Sequence, residues 1–100
     1  MPSKSPKAEA AWLAAFGEPT RLAIIRHLAT GEMTVTKLAV ACNVEMVNAS
    51  HHLSVLRDSG LVTVERNGRF MRYALVGGRV SGTTMTLTHS SGVKVVIPLG

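Results

Sequence analysis

The side chains that could do chemistry are few and scattered. Cys42 is the only thiol, and the four histidines stand at positions 27, 51, 52 and 89. A catalytic cysteine needs an adjacent base and a polar cleft, and nothing in the spacing supplies either, so Cys42 is expected as a small core hydrophobe. His27 has no second ligand at a defined spacing, and a single cysteine excludes a cysteine-rich zinc site. His89 is read as a surface histidine. There is no nucleophile–base pair, carboxylate pair or phosphate-cradling glycine loop, so no enzyme, no metal and no cofactor is expected. What remains is hydrogen-bonding and guanidinium chemistry. Val47, Asn48, Ser50, His51 and Ser54 fall on one side of a helical stretch, where amide, hydroxyl and imidazole groups suit base edges and phosphates. Arg57, Arg66, Arg69, Arg72 and Arg79 follow, against only Asp58 and Glu65 in the same stretch, and supply the phosphate-pairing charge.

These residues need elements to hold them. Residues 34–60 read as two short helices around a tight turn at Asn43. Thr34 is a plausible N-cap for the first of the two, in which Lys37 lies near the start and Leu38, Ala39 and Cys42 pack inward. The second runs over 45–59, with Gly60 as a left-handed C-terminal cap. Its inward stripe is Ala49, Leu53 and Leu56, with Met46 one turn earlier. His52 sits at the boundary and is expected to brace the helix rather than read a base. Two helices precede this unit. Ser5-Pro6 and Glu18-Pro19 are start signals, each with a residue suited to the N-cap followed by proline at the first helical position. Ala8, Ala11, Trp12, Ala15 and Phe16 form the face of the first helix, and Leu22, Ile25, Leu28 and Ala29 that of the second.

After Gly60 the period changes from helical to alternating. Residues 61–76 read as two strands joined by Asn67-Gly68, a strong short hairpin signal. With that dipeptide as the loop, Val64 faces Met71, Val62 faces Tyr73, and Arg66 stands opposite Arg69. Such a pair of like charges across a ribbon would be relieved by a phosphate between them. Residues 84–97 alternate again, and a loop at Ser90-Ser91-Gly92 aligns 85 with 97 and 87 with 95. A lone hairpin is marginal, so this one is expected to pack on the preceding ribbon or on a second subunit.

Length and composition set the frame. One hundred residues form a single domain with one modest core. We divide it into an arm over 1–7, a main body over 8–76 and a β extension of the same domain over 77–100. With 46% hydrophobic residues and a mean hydropathy of +0.23, the chain can bury enough surface to fold. A net charge of +5 and a pI near 10.2 favour polyanionic partners. No apolar run approaches a membrane span and no signal core follows the N-terminus, so a cytoplasmic protein without membrane association is expected.

A resemblance adds to this reading. The runs Gly17-Glu18-Pro19-Thr20-Arg21-Leu22, Ser50-His51-His52-Leu53 and Val55-Leu56-Arg57-Asp58-Ser59-Gly60-Leu61-Val62, then Gly68-Arg69 and Tyr73, resemble the ArsR-type family of bacterial repressors over residues 10–76. The resemblance implies a winged helix-turn-helix: mainly α with a β-wing, four helices, then the wing, here followed by an extra hairpin. It implies a homodimeric repressor on a palindromic double-stranded operator, with helix 45–59 in the major groove and the 61–76 wing on the backbone. The DNA contacts are then expected from Lys37, Val47, Asn48, Ser50, His51, Ser54, Arg57, Arg66, Asn67, Arg69 and Arg72. Trp12, Phe16, Met85, Leu87, Val95 and Ile97 are expected at the dimer interface, the hairpin replacing a dimerisation helix. Relatives that sense metals use a Cys-x-Cys pair where this chain has Met33-Thr34-Val35-Thr36, so no such site is expected. The alternative is a winged-helix module that binds protein through Met46, Val47 and a free strand edge.

Overall fold

The computed structural model describes residues 5–100. Ser5 accepts a hydrogen bond from the Ala8 amide at 3.4 Å, and α1 runs from there over Pro6–Ala14. Pro6 and Lys7, expected in the arm, belong to the helix and Ser5 is its N-cap; the rest of the expected arm, residues 1–4, lies outside the described part. Regular helix ends at Ala14, and the chain then turns Ala15 and Phe16 into the core beside Trp12, leaving Ala8 and Ala11 exposed. The Trp12 and Phe16 rings meet edge to face at 4.9 Å.

Glu18 caps α2 (Pro19–Leu28) by accepting from the Arg21 amide at 2.9 Å. This helix is central, packing on elements to either side, and so it buries Ile24 as well as the expected Ile25 and Leu28. Thr34 caps α3 (Val35–Cys42), accepting from the Lys37 amide at 3.3 Å. Asn43, at φ 55°, closes α3 in the left-handed conformation that asparagine tolerates better than most residues. α4 (Met46–Asp58) begins three residues later. Its end is a Schellman turn: Leu61 donates to the Leu56 carbonyl at 2.9 Å, Gly60 to Arg57 at 3.0 Å, and Gly60 sits at φ 87°.

Two antiparallel three-stranded sheets follow. In the first, β1 (Met33–Thr34), β3 (Phe70–Leu75) and β2 (Val62–Asn67) lie in that order. The pairing of Met33 with Tyr73 and Thr34 with Arg72 stitches the start of α3 to the wing, a contact between segments far apart in sequence. In the second sheet the order is β4 (Gly78–Ser81), β5 (Thr84–Thr88), β6 (Lys94–Pro98). Met85 pairs with Ile97 and Leu87 with Val95, the expected register, with Gly92 at φ 99° in the loop. β4 was not expected. Its four residues pair with β5 through a turn in which Gly82 takes φ 60°.

The second sheet closes one end of the only large core cluster among the described residues. Met85, Leu87 and Ile97 are at most 4% exposed and join Trp12, Phe16, Ile24, Ile25, Leu28, Leu53 and Leu56. Arg26 of α2 donates to the Pro98 carbonyl at 3.0 Å, and the Trp12 ring lies 5.3 Å from that of His89. This corrects the expectation for the subunit interface. Trp12, Phe16, Met85, Leu87 and Ile97 are buried within the protomer and Val95 packs half-buried beside them, because the sheet lays its apolar face on its own helices.

Candidate nucleic-acid interface

α4 is held from below and free above. Ala49, Leu53 and Leu56 have no exposed surface, while Val47, Asn48, Ser50, His51, Ser54 and Arg57 all face solvent. Burying three side chains at i, i+4 and i+7 fixes the rotation of the helix about its axis, and that rotation decides which polar groups point outward. Met46 departs from its expected inward position. It is 52% exposed, and the Thr36 hydroxyl donates to its sulfur at 3.7 Å. The first turn of α4 overhangs the crevice beside α3 instead of the core, so position 46 lines that crevice with Thr36, Ala39 and Val40.

The far side of α4 is braced by charge. Arg21 donates from Nε to the Ala15 carbonyl at 2.8 Å and places Nη1 3.3 Å from His52 Nδ1. A guanidinium can only donate, so this contact requires an unprotonated Nδ1 and places the imidazole proton on Nε2. Glu18 Oε1 lies 3.8 Å from the same nitrogen. The Arg21 amide holds the Glu18 carboxyl below its ordinary value of 4.5, against a smaller opposing cost of burial, with the Thr20 amide and the Arg21 charge adding to the lowering. Three residues thus join the end of α1, the start of α2 and the middle of α4. His52 belongs to this brace, whereas its neighbour His51 is exposed, the two rings 5.5 Å apart.

The wing turn differs from the expected one. Asn67 pairs with Phe70, so the two loop residues are Gly68 and Arg69, not Asn67 and Gly68. Gly68 has φ 65° and Arg69 does not have positive φ, the pattern of a turn with glycine at its first central position. Every partner shifts by two: Val62 meets Leu75, Val64 meets Tyr73, and Arg66 meets Met71. A shift of two keeps each residue on its expected face. It also removes the expected Arg66–Arg69 pair: Glu65 lies across from Arg72 instead, and Arg69 stands at the tip.

Where β3 meets α3 the surface is concave. Thr34, Thr36, Lys37, Phe70 and Arg72 enclose about 270 Å³ at the first turn of α3. Lys37, Arg72 and the positive end of the helix converge there, a combination suited to a phosphate. Phe70, 59% exposed, forms one wall. Thr34, Thr36 and Phe70 were absent from the expected contacts. The N-cap role of Thr34 was legible, but its approach to the wing depends on the short β1–β3 pairing. The charge divides sharply along the chain: residues 1–65 carry six basic and six acidic side chains, residues 66–100 five basic and none acidic. Among the described residues, no three His, Cys, Asp or Glu side chains gather as a metal site would require.

Comparison with known proteins agrees with this geometry. A helix-turn-helix domain family matches residues 16–65. The probable mercury resistance operon repressor of Streptomyces lividans is 31% identical over 85% of this chain and 68% of its own length. The transcriptional regulator NmtR of Mycobacterium tuberculosis is 42% identical over 72% of this chain, which spans 60% of NmtR. The homodimeric winged helix-turn-helix DNA-binding domain of Mb0332 from Mycobacterium bovis, a possible ArsR-family regulator, superposes with a TM-score of 0.68 at 32% identity. That match covers 71% of this chain and 66% of the Mb0332 chain. The chain belongs to the ArsR-type family of winged helix-turn-helix regulators.

Within this ArsR-type chain the helix-turn-helix is α3 and α4, and the wing is β2 and β3. Lys37 and Arg72 share one concavity, α4 presents Asn48, Ser50, His51 and Ser54 together, and Arg66, Asn67 and Arg69 lie at the wing tip. Arg57, at the far end of α4, lies 3.7 Å from Asp58 in an exposed pair. Such a pair contributes little to stability and leaves the guanidinium open to other partners.

Proposed function

We propose that this chain is a DNA-binding transcription repressor that acts as a homodimer on a palindromic operator. α4 enters the major groove with Asn48, Ser50, His51 and Ser54 toward the base edges. Arg66, Asn67 and Arg69 place the wing on the flanking backbone, and a phosphate sits between Lys37 and Arg72. The observation that carries this reading is the exposed polar face of α4 standing beside a wing whose charge is unopposed after Glu65. The homodimeric state of the Mb0332 domain supports the dimer, and two copies related by a two-fold axis would present two α4 helices to two half-sites. Among the described residues no helix is long and apolar enough to cross a membrane, and a repressor working on DNA would act in the cytoplasm.

The test is fluorescence anisotropy against the DNA upstream of the coding region and a scrambled duplex, over a salt series. Tighter binding to the native duplex is expected, with affinity falling linearly on a log–log plot. Arg69→Ala should lower the slope by about 0.9, one phosphate contact, without changing sequence preference. His51→Ala should narrow the gap between native and scrambled duplexes. Equal, salt-insensitive binding to both would reject the reading. It would favour a protein partner at the α3–α4 crevice, where Val40 is 78% and Met46 52% exposed.

A further inference from the structure

The outward face of the second sheet carries a pattern of its own. Side chains directly opposite one another share a face, so the registers define a grid. Thr86 on β5 lies between Arg79 on β4 and Val96 on β6. One row along, Thr88 has Lys94 on one side, while on the other its amide donates to the Gly77 carbonyl at 3.0 Å. Gly77 cannot be replaced without strain: it sits at φ +73°, and a Cβ there would stand 2.5 Å from the Thr88 carbonyl oxygen. Beside it lies a basin of about 500 Å³ lined by Gly77, Gly78, Arg79, Thr86, Thr88 and Lys94. Neither Arg79 nor Lys94 has an acidic partner among the described residues, and no acidic residue follows Glu65.

We propose that this basin binds a phosphate or diphosphate group, with Arg79 and Lys94 closing from the two flanking strands and the Thr86 and Thr88 hydroxyls donating from the floor. Strands are spaced about 4.8 Å and rows of one face about 6.8 Å, so the two cationic residues start on the order of 12 Å apart. Long side chains reaching inward span that gap around one or two phosphoryl groups, whereas neither reaches the other's partner alone. Hydroxyls between two guanidinium or ammonium heads give oriented donors, which a merely basic surface lacks. The group could come from the DNA backbone outside the half-site or from a free phosphorylated small molecule. In the second case the basin is a ligand site within the DNA-binding domain itself.

The experiment uses the full chain and inorganic pyrophosphate, followed by amide chemical shifts at constant ionic strength. Saturable shifts confined to Gly77, Gly78, Thr86, Thr88 and Lys94 are expected. Arg79→Gln with Lys94→Gln should weaken binding at least tenfold, and Thr88→Val should weaken it with no change of net charge. Lys7→Gln, which removes one charge elsewhere, should leave it unchanged. A parallel arm measures the salt slope on an operator duplex with extended flanks. A slope reduced by about 2 in the Arg79/Lys94 double variant assigns the phosphate to DNA, since each contact contributes about 0.9. An unchanged slope with lost pyrophosphate binding assigns it to a free ligand. Unsaturable shifts spread over all basic residues, or equal losses from Lys7→Gln and Lys94→Gln with none from Thr88→Val, overturn the proposal. The pyrophosphate arm stands whether or not the operator reading holds.

Discussion

Leu87→Ala separates a core sheet from an interface sheet. Leu87 sits on the central strand of the second sheet with no exposed surface, and across the strand pair its Cδ2 lies 3.4 Å from where a Cβ on Gly78 would stand. A leucine enclosed to that degree loses about 2–5 kcal/mol on truncation, the transfer of the lost methyls plus the cavity they leave. A domain of this length has roughly 5–15 kcal/mol in total, so the variant loses a large part of its stability. Taking ~3 kcal/mol at 4–8 °C per kcal/mol, the melting temperature falls by about 12–24 °C. Val96→Ala, on the same sheet but 60% exposed, should stay within about 0.5 kcal/mol of the parent. The assay is thermal unfolding by circular dichroism over a wide range of protein concentration. If Leu87 served chiefly to hold two subunits together, the loss would shrink as concentration rises. A loss that is the same at all concentrations is expected. A Leu87→Ala protein that melts like Val96→Ala would refute the reasoning, as would C-terminal amides that exchange freely while the helices keep parental protection.

Three further outcomes follow from local geometry. Glu18 has a lowered pKa in the folded state, so its contribution is present above the unfolded value and is lost as pH falls through the folded one. Glu18→Gln should therefore flatten the fall of stability below about pH 4.5, measured by urea unfolding across the acid range, and an unchanged pH profile would count against the cap. Asn43→Val forces a β-branched residue to φ 55° and should cost about 1–2 kcal/mol, whereas Asn43→Gly should not, and equal midpoints would exclude strain at that turn. Burial pushes the Cys42 thiol up, so the native protein should react with a disulfide reagent at pH 8 more slowly than the urea-unfolded chain does; equal rates would contradict the packing around it.

How far the sequence could be read depended on the range of the interactions. Both proline-led helix starts, the Thr34 cap, the Asn43 turn and the Gly60 ending are local devices, and each appears where its residues stand. The C-terminal register was legible for the same reason: alternation plus a glycine-bearing loop leaves one alignment that keeps Met85, Leu87, Val95 and Ile97 on a common face. The wing register was not, because Asn67-Gly68 and Gly68-Arg69 are both acceptable loops that bury the same side chains. The choice between them rests on the backbone of one glycine. Met46 failed for a different reason: periodicity places it on the inward face but cannot say where the core ends. The use of the second sheet was also beyond local reading. An apolar strand face demands a cover, but whether that cover is the chain's own helices or a second copy is decided by the distance between Trp12 and His89, not by any residue between them.

The division of charge bears on how the proposed repressor would separate affinity from specificity. α4 carries Arg57 and Asp58 side by side at its C-terminal end, and before them its outward groups are Val47, Asn48, Ser50, His51 and Ser54. Amide, hydroxyl and imidazole groups read a base edge through close, directed contact, so on this reading they discriminate while adding little to non-specific attraction. The net charge lies beyond Glu65, in the wing and the second sheet, where each cation that meets a phosphate adds to affinity for any sequence and makes it fall with salt. Substitutions in the two regions should then be separable. Losses at Arg66 or Arg69 lower binding to native and scrambled duplexes by the same factor, and losses at Asn48 or His51 lower the ratio between them. The Arg21–His52–Glu18 brace connects the two, since it sets the roll of α4 on which the neutral contacts depend but carries no charge toward the groove. Loosening it should therefore behave as a specificity defect even though every charge on the wing is intact.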